Sequence, residues 1–297
     1  MAWRNWRGGA AWRSGGLVSV AIGLAIAVTA FVATAPADAG IASTKHNLGA
    51  NGTGVNHLTG ATATTEICVF CHTPHGADTS AAVPLWNRNI STPPTYQTYD
   101  SLGTSTLDGK IAPVGSVSIA CLSCHDGTQA MSTVINAPGS GTAWANAPVW
   151  TGANQDGTGK LSAGIITNIG TDLRNDHPVG IQYGGGGVAL STPANPTTDA
   201  DFKQANSASN PTGALQSQVL NGTRVWWVDT EPAPNGTRQK TDMILYTRAA
   251  TAGYTGQSEP EPFVECASCH DPHTSDNPTF LRISNKNSEV CLSCHVK

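Results

Sequence analysis

Eight cysteines and nine histidines are the residues of this sequence whose types and spacing can do chemistry. Every cysteine falls in a C-x-x-C pair, and every pair is followed at once by histidine: CVFCH at 68–72, CLSCH at 121–125, CASCH at 266–270 and CLSCH at 291–295. Histidine makes up about 3% of the chain, so four such coincidences have a chance probability on the order of one in a million, whereas C-x-x-C-H is the attachment signature of c-type haem. The spacing has a geometric reason. Residues i, i+3 and i+4 share one face of a helical turn, so two thiols can join the two vinyl groups of one porphyrin while the next histidine ligates its iron. On this reading Cys68, Cys71, Cys121, Cys124, Cys266, Cys269, Cys291 and Cys294 attach four c-type haems, and His72, His125, His270 and His295 are the proximal iron ligands. Zinc sites could be drawn from the same cysteines, but zinc does not require histidine in the fifth place every time. A disulfide framework leaves the histidines without a role.

The sixth iron position decides what such a haem does. An open position invites substrate chemistry, and a second strong ligand makes an electron carrier. Five histidines remain for this role: His46, His57, His75, His177 and His273. His75 and His273 hold the same place in two copies of C-x-x-C-H-x-P-H, at 68–75 and 266–273. Neither can close its own haem, because three residues after the proximal histidine it emerges on the same side of the macrocycle. Each is therefore expected to ligate a different haem, with Pro74 and Pro272 stiffening the link. His177, in NDHPVGI, is the only histidine between His125 and Cys266 and is a further distal candidate. Near the start of the mature chain His46 is favoured over His57, since an iron bond would tie down an otherwise loose end. Met131 and Met243 read as packing residues.

The elements that must position these residues are short. Charged residues are only 12% of the chain, glycine and proline are abundant, and long amphipathic periodicity is absent. The expected fold is a multihaem cytochrome c: mostly irregular and loop-rich, with short helices at the haem motifs, small β-hairpins, and a core built from four haems, which supply the apolar bulk. The motifs divide the chain into 40–130 with two haems, a loop-rich or β insert at 131–262 carrying one axial histidine, and 263–297 with two more, all in one haem-packed unit. Within the insert, GTRVWWVDT at 222–230 predicts a strand and MILYTR at 243–248 its antiparallel partner. YGGGG at 183–187 predicts a flexible loop; it lacks the strand–helix context of a phosphate cradle.

Residues 1–39 have the layout of a secretory signal peptide. Arg4, Arg7 and Arg13 precede an apolar run at 17–35 and an Ala37-Asp38-Ala39 cleavage site. Without them the chain has 13 Lys+Arg against 19 Asp+Glu, a net charge of about −6. With no basic block, nucleic acid is not an expected partner. No second apolar run of spanning length follows, so no permanent membrane span is expected once the signal is removed.

The segments STKHNL, EICVFCHTPHG followed by PLWNR, CLSCHDGT, DHPVGI, and VECASCHDPH through FLR to CLSCHVK resemble the extracellular tetrahaem cytochromes of the OmcE type, including a doubled C-x-x-C-H tail. The resemblance covers roughly 41–130, 174–182 and 263–297. It implies a secreted subunit that polymerises into a cytochrome nanowire, with His46, His75, His177 and His273 as distal ligands and one sixth ligand donated by a neighbouring subunit. His46 is the donor expected from its terminal position. Partners would be further copies of the chain, redox partner cytochromes and extracellular electron acceptors. A soluble periplasmic tetrahaem shuttle is the alternative. A multihaem oxidoreductase is a third reading; five histidines for four irons make an open site unnecessary, and the chain reads as an electron carrier with no catalytic residue.

Overall fold

The computed structural model describes residues 40–296 apart from 91–93, 142, 153, 187–196, 207–209 and 250–259. Segment 1–39, expected to be a signal peptide, lies outside the described residues, and among them no helix is long and apolar enough to cross a membrane. Residues 39–297 form one compact unit.

Each C-x-x-C-H motif folds as a helical turn. The first is a 3-10 turn, Cys68–Phe70; the others are α1 (Ser118–His125), α2 (Cys266–Cys269) and α3 (Glu289–Leu292). Such short helices have no stability of their own, so other contacts must hold them. At α2 the hold is local: the Glu265 carboxylate accepts from the Ser268 backbone, and the Ser268 hydroxyl accepts from Glu265 N–H.

The insert contains more β structure than small hairpins alone. Five strands, β1 (Ile181–Gln182), β2 (Leu215–Leu220), β3 (Thr223–Val228), β4 (Met243–Arg248) and β5 (Glu261–Val264), form one antiparallel sheet in the order β1-β5-β4-β3-β2. β3 and β4 pair as their sequences predict, with Trp226 opposite Leu245 and Val228 opposite Met243. β2 was not predicted, yet its signal is in the sequence. Asn221-Gly222 takes positive φ at both residues, 50° and 80°, the mirror-image turn whose twist matches a two-residue hairpin. The 229–242 connection between β3 and β4 is drawn together by its two end acids. Asp229 accepts from Asn235 and Gly236 N–H at 2.8 and 3.0 Å, and Asp242 accepts from Thr230 and Gln239 N–H at 3.1 and 2.7 Å.

YGGGG is not a free loop over its described part. Tyr183 is 1% exposed, and its hydroxyl donates to the Lys203 carbonyl. Gly184 is at positive φ, and a Cβ there would lie 2.5 Å from the Thr197 side chain, so close approach explains the glycine.

The apolar residues divide into small clusters, and three of the four have motif cysteines at their margins. One face of the sheet (Leu215, Trp226, Val228, Met243, Leu245) with Tyr183 packs against Cys269, Cys294, Ile283 and Val290, seating the two C-terminal motifs. Trp86, Ile90, Ile119 and Ala120 pack with Cys71, and Leu122, Leu173 and Val179 with Cys266. Met131 and Met243 are both buried, as packing residues are.

Candidate haem-binding sites

The first and third motifs are held by one repeated device. After C-x-x-C-H-x-P-H the chain turns through residues of positive φ, Leu85 in the first copy and Thr279 and Phe280 in the third, and returns beside the motif. In the first copy His72 bridges to Trp86 and Asn87 N–H donates to the Cys71 carbonyl at 2.9 Å; in the third His270 bridges to Leu281 and Arg282 N–H donates to the Cys269 carbonyl at 2.9 Å. The side chains at that place do the same work. Asn87 Nδ2 donates to the Val69 carbonyl at 2.5 Å and Arg282 to the Ala267 carbonyl at 3.0 Å, each the residue after a first cysteine.

The return segment also fixes the histidine. His72 Nδ1 lies 2.8 Å from the Pro84 carbonyl and His270 Nδ1 2.7 Å from that of Thr279; at the second motif His125 Nδ1 lies 2.7 Å from the Thr167 carbonyl. A carbonyl oxygen only accepts, so Nδ1 carries the proton in each ring and Nε2 presents a bare lone pair. That is the tautomer and support a metal-ligating histidine needs.

Three of these rings face a second imidazole. The centroids of His72 and His273 are 6.3 Å apart and nearly parallel, those of His125 and His46 are 6.0 Å apart, and those of His270 and His177 are 5.6 Å apart. Two imidazole nitrogens each about 2 Å from a shared metal put their ring centroids about 6 Å apart, so all three pairs fit one iron between two histidines. His273, on the 266–273 joint, thus lies against the first motif rather than its own. His46 stacks on Phe280 at 4.3 Å and lies beside Pro272. Burial, and then the neighbouring His125, pull the His46 imidazole down to about 4, so it is neutral at physiological pH as a ligand must be. His46 therefore sits among motifs of its own chain.

The remaining histidines differ. His295 of the fourth motif has Phe202 at 4.3 Å and no histidine ring beside it among the described residues. His75 is exposed; Thr73 and Asn136 donate to its carbonyl while its ring points to no described histidine. His57 is half-buried, and its Nδ1 donates to the Gly54 carbonyl at 2.8 Å, leaving Nε2 bare as in the motif histidines. Its loop carries exposed Val55 and runs beside 149–151, where Val149 is exposed too.

The motifs lie close to one another in chain order. The Cys124 sulfur lies near enough to Cys71 to add to the rise in its pKa, Cys121 lies beside Cys266, and Cys269 neighbours Cys291 and Cys294. Burial foremost pushes Cys71 and Cys294 up to about 12 and Cys269 up to about 11. None of the eight cysteines is joined in a disulfide. The second and third motifs are riveted through a buried network that sequence reading missed. Ser118 at the start of α1 donates to Glu265 at 2.5 Å and accepts from Cys266 N–H at 2.9 Å, and Arg248 pairs with Glu265 at 2.7 Å. Burial raises the Glu265 pKa against the pull of Ser118 and Arg248.

Residues 261–297 match the family described as the doubled CXXCH motif. No curated protein matches the chain. The motifs imply covalently bound c-type haem, and the doubled motif is consistent with a multihaem c-type cytochrome.

Proposed function

We propose that this chain is an electron-transfer protein holding four c-type haems in one continuous row, and that it works as the subunit of an extracellular filament. The observation that carries the reading is the set of three imidazole pairs at 5.6–6.3 Å, each with one ring belonging to a C-x-x-C-H motif. When bound, haem supplies a one-electron iron couple, and two histidines per iron suit it to carrying electrons rather than binding substrate. In this assignment His72 and His273, His125 and His46, and His270 and His177 hold three irons. The close approach of successive motif cysteines keeps neighbouring macrocycles adjacent, which is what rapid transfer along a row requires.

The fourth iron, on His295, takes its second histidine from another copy of the chain. His57 is the better-prepared donor. Its Nε2 is freed by the bond to Gly54, and exposed Val55 and Val149 beside it give a second copy apolar surface to bury. His75, whose ring is exposed and unsupported, is the rival. The likeness of the haem-bearing segments to OmcE-type cytochromes supports the polymer, the secreted location and a partner that is itself a redox protein or an extracellular acceptor.

Cryo-electron microscopy of the secreted holoprotein tests this directly. Filaments with four six-coordinate haems are expected, and discrete particles would leave the soluble shuttle. In His57→Ala, the filaments are expected to disassemble and one haem in four to turn high-spin; the same outcome in His75→Ala instead would transfer the role. A second reading rests on the same vacancy beside His295: an iron open to a small ligand would make the chain an oxidoreductase. A high-spin ferric signal persisting in the assembled wild-type protein would favour it.

A further inference from the structure

The buried charge at Arg88 has no role in the assignment above. Arg88 is 1% exposed. Its guanidinium donates to Ser123 Oγ at 3.1 Å, to the carbonyls of Ser123, Ala130 and Met131 at 3.0, 2.9 and 3.0 Å, and to Gln129 Oε1 at 3.4 Å. Every one of these acceptors is neutral, and none of the ion pairs among the described residues includes Arg88. Asp126, next to His125, is buried too, but its oxygens accept from Tyr96 and Thr128 instead. A buried cation is costly unless paired, and arginine does not shed its proton to escape the cost.

Its location is specific. Ser123 lies between the two cysteines of the second motif, and Asn87, the residue before Arg88, is bonded to Cys71 of the first. The charge is therefore wedged between two haem-attachment motifs. The third motif has an arginine as well, Arg282, but that side chain is only half-buried, so water screens it.

We propose that Arg88 is a fixed positive charge that raises the reduction potential of the haems held at 68–72 and 121–125, so that the haem on His72 takes up an electron before the haem on His270. Reduction of ferric to ferrous iron adds one negative charge to the site and breaks no bond. A buried cation nearby favours that charge, and local charge and burial are among the protein's levers on haem potential. Arg88 then sets the order in which haems within one chain are reduced, and the inference rests on the multihaem reading above.

The test is spectroelectrochemical titration of the holoprotein with dithionite as reductant, comparing wild type with Arg88→Gln, Arg88→Lys and Arg282→Gln. Arg88→Gln is expected to move part of the titration curve to more negative potential, Arg88→Lys to restore most of it, and Arg282→Gln to produce a smaller shift. An unmoved curve in Arg88→Gln, or an equal shift in Arg88→Lys, overturns the proposal. If Arg88→Gln does not yield holoprotein, paramagnetic NMR during stepwise reduction of the wild type decides: the His72 resonances must change before those of His270, and the reverse order refutes the idea. Haem content by intact mass separates the two levels of inference. Fewer haems than motifs would defeat the multihaem reading itself, whereas full haem content with unmoved potentials would defeat only the role of Arg88.

Discussion

At the scale of residues, the histidines sort by what their second nitrogen touches. His72 and His270 each give Nδ1 to a carbonyl of a return segment and His125 to that of Thr167, and each has a second imidazole at the distance one metal would impose. Removing a distal partner should then affect one haem and leave the others. In His273→Ala one haem is expected to become high-spin while the remaining spectrum is unchanged, which electron paramagnetic resonance of the oxidised protein will show. His177→Ala should do the same at the haem on His270, with a reduction potential change confined to that site. A loss of several low-spin signals in either variant would mean that the pairs are structural neighbours and not ligands. The cysteine–histidine signature was legible in the sequence because it is local. The choice of partner was not, because His273 and His72 are distant in the chain and meet only through the fold. Arg88 was invisible as a site for another reason: nothing in PLWNR distinguishes a buried guanidinium from a solvated one.

At the scale of elements, helices too short to stand alone are held by buried polar groups. Glu265 caps α2, pairs with Arg248 and receives Ser118 from α1. Removing one member of a buried, hydrogen-bonded pair leaves an uncompensated charge and costs about 3–5 kcal/mol. Glu265→Ala is expected to lose stability of that order in denaturant titration of the holoprotein; a cost below about 1 kcal/mol, the level of an exposed pair, would show that the network is dispensable. The 229–242 connection offers a pH test. The neighbouring Asp229 carboxylate, helped by burial, lifts Glu231 up to about 7. A folded-state pKa above the ordinary carboxyl value gives stabilisation that is complete at low pH and lost as pH rises through about 7. Amide exchange at 230–242 should therefore quicken between pH 6 and pH 8 beyond the intrinsic rate, and Glu231→Gln should abolish the difference. The β3–β4 pair was predictable from alternation of apolar residues. β2 was marked only by Asn221-Gly222, and β1 and β5 are too short for a period to register, so pairing partners define them.

At the scale of the whole molecule, apolar side chains form several small clusters, most of them bordered by motif cysteines. Haem is the body that would join them, as a large apolar surface removed from water. Chain produced without haem attachment is expected to lack a cooperative thermal transition by circular dichroism, and Cys121→Ser with Cys124→Ser should lower the melting temperature of the remaining holoprotein markedly. A cooperative melt of the haem-free chain would show that the five-stranded sheet suffices as a core.

The sequence by itself determined the chemistry. Four C-x-x-C-H units imply covalently bound c-type haem, because that information is carried by spacing within one helical turn. It also determined that two of the units bear an extra histidine on a stiff Pro-containing link. Only the tertiary structure decided where those links lead. His273 meets His72, His46 meets His125 under Phe280 and Pro272, and His177 meets His270, because the return segments, the Ser118–Glu265 rivet and the sheet face fix distant stretches against each other. Partner choice is a long-range property, set by which surfaces can be buried together, and no local pattern encodes it.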